Sequence, residues 1–174
     1  MADLPTEVAA QDGVQEDLRD ATLVEVAARI GTPAYVFFGQ AIEARAAALD
    51  AAFGGRFALS YAVNSNPNPG LLAFLRERVP LLDVSSIGEF RHGMRAGFAP
   101  ERLSFTGPGK RDFELEEAIA GGIGELVIES LREAERASAV AERLGKVQDV
   151  LVRVAPSRVP KGFVELALRN QTKE

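Results

Sequence analysis

Residues 81–130 read LLDVSSIGEFRHGMRAGFAPERLSFTGPGKRDFELEEAIAGGIGELVIES, and this stretch decides the fold class. It holds three short apolar runs, at 81–85, 103–106 and 125–128. Runs of this length, bounded by turn residues, read as strands. Helical patterns lie between them. One covers 88–95 and stops at Gly97. The other follows Asp112, carries Leu115, Ala118 and Ile119 at helical spacing, and is closed by Gly121-Gly122. Strand–helix alternation with short loops is the rhythm of a parallel sheet.

The rhythm continues on both sides. Downstream, Ser130 is an N-cap with Glu133 three residues on, and Leu131, Ala134, Ala137, Val140 and Leu144 follow at helical spacing up to Gly145. Residues 150–155 are a further strand. Upstream, 57–63 is a strand in which Ala58, Ser60, Ala62 and Asn64 share one side and Phe57, Leu59, Tyr61 and Val63 the other. Pro69-Gly70 opens a helix, and Ser65, Asn66 and Asn68 read as turn and cap residues. Residues 35–38 (YVFF) are a buried strand, followed by a helix through Ile42, Ala46, Leu49 and Phe53 and preceded by a short helix at 22–30. The sum is about six strands with five helices between them. An open doubly wound sheet and part of a (β/α)8 barrel both fit that alternation.

Composition narrows the function classes. The chain has 174 residues, short for a closed barrel of about 250. With a net charge of −5 and no basic run longer than Lys110-Arg111, it lacks the basic face that nucleic acid or an anionic membrane would require. There is no cysteine, which removes thiol nucleophiles and Cys–zinc sites, and the single His92 rules out a His-rich metal centre. Lying within a predicted helix, His92 reads as a surface or half-buried helix residue. No stretch approaches about 18 uninterrupted apolar residues, and the acidic start is neither a signal nor a transit peptide, so a cytoplasmic location is expected.

In both architectures ligands bind at the carboxyl ends of the strands. The residues there are 64–66, 83–89, 106–110, 129–130 and 153–156, which hold much of the chain's polar chemistry. Gly107-Pro-Gly109 is a tight turn and not a phosphate loop, since the Lys-Ser/Thr signature is missing.

These segments resemble the fold-type III pyridoxal-phosphate decarboxylases, which act on ornithine, diaminopimelate, arginine and related amino acids. The GTPAYVF at 31–37 opens in their manner. YAVNSNPNP at 61–69 resembles their YAVKANPNP, and LDVSSIGE at 82–89 resembles DVxSxGE. AGFAP at 96–100, FTGPGK at 105–110, Glu129-Ser130 and VRV at 152–154 follow in the same order. The match is collinear from about Gly31 to Gly162, while 164–174 (VELALRNQTKE) does not continue the family pattern. The tail at 153–163 is most similar to a subgroup linked to carrier-protein and polysaccharide-export pathways.

The resemblance implies an alanine-racemase-like partial (β/α)8 barrel of about six βα units, without the family's C-terminal β domain. Residues 1–20 would be a loose acidic segment, 21–163 the incomplete pyridoxal-phosphate-binding barrel, and 164–174 a non-family tail. It also implies the cofactor pyridoxal 5′-phosphate, an amino acid or carrier-bound amino acid as substrate, and a homodimer. The family's cofactor lysine falls at Asn64, whose amide nitrogen lone pair is delocalised and cannot form the imine. Of the four lysines, Lys110 alone is expected at the right end of the strands, and it is not expected to replace the lost amine. Cofactor-binding residues by resemblance are Asp83, Glu89 and Arg153. On residue type alone, Glu89 is also a helix N-terminal acid and Arg153 a strand-end ion pair with Asp83. The expected activity is removal of an α-carboxylate, abolished here by Asn64 and the missing C-terminal half. The alternative is a non-catalytic partner of a full-length paralogue.

Overall fold

A computed structural model describes the backbone of residues 12–154 and the side chains of residues 21–154. The chain divides into two compact units, Met1–Ile42 and Glu43–Glu174. The first contains helix α1 (Asp12–Ile30) and the start of α2 (Gly39–Phe53). The helix expected at 22–30 therefore begins at Asp12, within the stretch expected to be loose; residues 1–11 lie outside the described residues. Residues 35–38 form no strand, and Tyr35 is 95% exposed. An apolar run becomes a strand only where a neighbour offers a free ladder edge, and periodicity cannot report that neighbour.

The second unit is built on one parallel sheet. Its strands are β1 (Ser60–Ala62), β2 (Leu81–Val84), β3 (Leu103–Phe105), β4 (Glu125–Ile128) and β5 (Val150–Val152). Five strands are thus present among the described residues, not six. The strand expected at 57–63 is confined to three residues: Phe57 is exposed, and residues 63–65 turn into a short 3-10 helix. The strand at 150–155 ends at Val152, and Ala155 lies outside the described residues.

The strand order is β1-β2-β3-β4-β5. It never reverses, whereas a doubly wound sheet must reverse to place helices on both faces. Helices α3 (Pro69–Leu75), α4 (Ile87–Arg95), α5 (Asp112–Ala120) and α6 (Leu131–Arg143) each pack on the next. This is the arc of a singly wound barrel, with the helices on its outside.

Register explains the two faces. Leu82, Val84, Leu103, Phe105, Leu126 and Ile128 point under the helices and are buried with Leu72, Phe90, Leu115, Ile119 and Val140. Each such burial contributes about 1.5–3 kcal/mol. On the other face Ala62, Asp83, Ser104 and Glu125 form one lateral row across four strands. Two glycines permit close approach. A Cβ on Gly93 of α4 would lie 2.9 Å from Leu103, and one on Gly124 would lie 2.3 Å from the Glu101 carbonyl oxygen.

The helix starts follow from local chemistry. Asn68 caps α3, its Oδ1 accepting from the Gly70 and Leu71 amides at 2.9 and 3.2 Å. Ser86 caps α4 by accepting from the Glu89 amide, and Ser130 caps α6 by accepting from the Glu133 amide, both at 3.2 Å. Each cap satisfies amides that the first turn leaves without a helical partner.

Candidate functional site at the carboxyl ends of the strands

The expected site residues all lie on the carboxyl-end half of the sheet, in three hydrogen-bonded groups. Asn64 stands in the turn after β1, and its Nδ2 donates to Ser85 Oγ at 3.4 Å. The Ser85 amide donates to Glu89 Oε2 at 2.8 Å, so Asn64 and Glu89 meet through Ser85. Glu89 also occupies the third position of α4. Its reading as an N-terminal helix acid is therefore met in the fold, alongside its place at the rim.

Asp83 forms the second group. Its Oδ1 accepts from Ser104 Oγ at 2.7 Å and from Thr106 Oγ1. These hydroxyls come from the neighbouring strand and the residue just beyond it, where alternation puts them on Asp83's face.

Arg153 belongs to the third. Its Nη1 lies 3.4 Å from Glu129 Oε2, which corrects the expected pairing with Asp83. The physical reason is strand order. Arg153 follows β5, whose neighbour is β4, and Glu129 directly follows β4. Asp83 on β2 is three strand spacings away along the sheet, about 14 Å.

Sequence reasoning missed what lies behind Glu129. Lys110 is buried, its side chain 1% exposed. Its Nζ donates to the Gly107 carbonyl at 2.7 Å, the Val127 carbonyl at 2.7 Å and Glu133 Oε1 at 3.0 Å. All three ammonium protons have acceptors within the protein. Lys146, at the other end of the strands, donates to the Ile119 and Ala120 carbonyls that finish α5. The only hint of the Lys110 pair in the sequence was Glu133, read as half of a capping box.

Glu114, on α5, completes the rim. It accepts from the Arg111 amide and guanidinium, both at 3.1 Å, and from the Ile87 amide at 3.3 Å. Burial pushes its carboxyl up, but these hydrogen bonds and the Arg111 charge outweigh it, leaving the group below its ordinary 4.5. Glu116 and Glu117 are also held low, by hydrogen bonds from Arg143 and Arg91, on the outer helical layer away from the rim. His92 is half-buried on α4, with Nδ1 3.2 Å from the Pro67 carbonyl oxygen. A groove of about 700 Å³ opens near the amino ends of the strands, and none of Asn64, Asp83, Glu89 or Arg153 lines it.

Residues 39–166 match the pyridoxal-dependent decarboxylases, in their pyridoxal binding domain. The chain belongs to this family. A decarboxylase-family relative from Zymomonas mobilis, a diaminopimelate decarboxylase, is 38% identical over 154 residues, covering 86% of this chain and 37% of the relative. The L-glutamyl-(BtrI acyl-carrier protein) decarboxylase of Niallia circulans is 30% identical over 142 residues, covering 82% and 33%. The crystal structure of Helicobacter pylori diaminopimelate decarboxylase complexed with L-lysine superposes with a TM-score of 0.69 at 31% identity, covering 76% and 34%. The chain thus spans about a third of the length of the relatives it matches.

The family's cofactor carries an aldehyde, and covalent retention of that aldehyde needs a primary amine. Among the described residues the rim offers none: position 64 is a carboxamide, and the Lys110 amine is consumed in the interior. The described residues therefore do not fit a covalently held pyridoxal group. Among these residues, too, no helix is long and apolar enough to cross a membrane.

Proposed function

We propose that this chain carries the pyridoxal-binding half-site of an amino-acid α-decarboxylase, of the kind that acts on diaminopimelate, in a form that does not itself decarboxylate. One observation carries the reading. The position that the resemblance assigns to the cofactor lysine is Asn64, at the end of β1, with its amide on Ser85. Around it the acidic and basic residues of the half-site persist: Asp83 with two hydroxyl donors, Glu89 on the Ser85 amide, and Arg153 beside Glu129. The higher identity to a diaminopimelate decarboxylase than to the carrier-protein enzyme favours a free diamino acid as the ancestral substrate.

The test is borohydride reduction after incubation with pyridoxal 5′-phosphate, followed by peptide mapping. The chain is expected to carry no reduced adduct at position 64, and Asn64→Lys to gain one there. Release of carbon dioxide from diaminopimelate by the unaltered chain with added pyridoxal 5′-phosphate would overturn the proposal.

A further inference from the structure

We propose that Lys110 is a positioning residue for the rim, setting the Glu129 carboxylate and through it Arg153. The assignment rests on the reading of the rim as the ligand site. Its geometric basis is a closed ring of four hydrogen bonds. Lys110 Nζ donates to the Gly107 carbonyl at 2.7 Å, and the Gly107 amide donates to Glu129 Oε1 at 2.9 Å. The Glu129 amide donates to Glu133 Oε2 at 2.7 Å, and Glu133 Oε1 accepts from Lys110 at 3.0 Å.

Each link constrains the next. The Glu133 carboxylate is split between a backbone amide and the ammonium, so its rotamer is fixed from both sides. Glu129 is held at its backbone by Glu133 and at its side chain by Gly107. Only Oε2 is left to face Arg153. Lys110 also bonds to Val127 of β4, which pins the ring to the sheet, and its own carbonyl accepts from Arg136 of α6 at 2.7 Å. Glu129 is mostly buried and Arg153 mostly exposed, with side chains 14% and 59% accessible. The buried ring is thus the fixed part, and the arginine is the part that faces a ligand.

A purely structural lysine would matter only through stability, so the test separates the two. The readout is the Arg153 side-chain NH resonance in the full chain without ligand, independent of the adduct at position 64. Glu129→Gln, which removes the arginine's charged partner but leaves the Lys110–Glu133 pair, defines the released position. Lys110→Met is expected to move the resonance to that same position. Lys110→Met/Glu133→Leu replaces the buried pair with apolar side chains and is expected to recover stability. Its Arg153 resonance should nevertheless stay released. Leu115→Ala, which destabilises α5 without touching the ring, should leave the resonance unmoved. An Arg153 resonance at its original position in the well-folded double variant would overturn the proposal. So would displacement by Leu115→Ala equal to that by Lys110→Met.

Discussion

The turn from β2 into α4 and the turn from β4 into α6 use one local device in two environments. In each, a serine caps the helix and a glutamate three residues later reaches back to the amide just before the serine: Glu89 to Ser85, Glu133 to Glu129. What differs is the residue arriving from the preceding strand–helix turn. At α6 it is Lys110, which takes the second oxygen of Glu133 and is buried with it. At α4 it is Asn64, which stops at the Ser85 hydroxyl at 3.4 Å and remains exposed. A cap is thus a local fact, but whether its carboxylate joins a buried ionic ring depends on the neighbouring turn.

The sharpest way to break this contrast is to delete both arriving side chains. Lys110→Met is expected to cost about 3–5 kcal/mol, because it strands the Glu133 charge in the interior. Asn64→Ala should stay within about 0.5 kcal/mol, as befits an exposed contact. Urea denaturation of the two variants measures both, and equal costs would refute the distinction. The caps themselves should behave alike. Ser86→Ala and Ser130→Ala are each expected to lose about 1 kcal/mol in the same assay, and a loss confined to one of them would show that the shared motif is not a shared device.

The smallest effect concerns the turn between these two. Glu114 ties the start of α5 to the Ile87 amide of α4, and its folded carboxyl sits below the ordinary 4.5. Its contribution is complete above that value and is lost as the pH falls through the lowered folded value. Stability measured between pH 6 and pH 3 should therefore fall less steeply at the acid end in Glu114→Gln than in the unaltered chain. Identical slopes would remove Glu114 from the acid response.

Much of this was legible in the sequence because it is local. The caps at Ser130 and Asn68 depend on residues two or three apart, and the two sides of β1 follow from the alternation of Ser60 and Ala62 with Tyr61, whereas a helix expected to open at Gly88 misses the cap at Ser86. Apart from that cap and from α1, which begins at Asp12 inside the stretch expected to be loose, the failures are non-local. YVFF at 35–38 has strand composition, but composition does not supply a ladder partner. Arg153 is one residue type away from pairing with either Asp83 or Glu129, and only strand order chooses. The sequence puts Lys110 at the carboxyl ends of the strands but carries no sign that it is buried. The acceptors that bury Lys110 lie 17 and 23 residues downstream as well as in its own turn, and become visible only when β4 is laid beside β3.

The lateral row of Ala62, Asp83, Ser104 and Glu125 also bears on how the chain finds its register. Side chains alternate between faces, so a slip of one residue in β2 or β3 would drive Asp83 or Ser104 beneath the helices and expel Leu82 or Leu103. Misaligned pairings of those strands are therefore penalised by desolvation once the helices pack on that face. Val150, Leu151 and Val152 of β5 carry no such mark, being apolar in either phase. In the described sheet β5 is the strand whose alignment is least specified by its own side chains, and polar contacts at its two ends, Gln148 to the Ile123 and Gly124 carbonyls and Arg153 to Glu129, distinguish one register from the next.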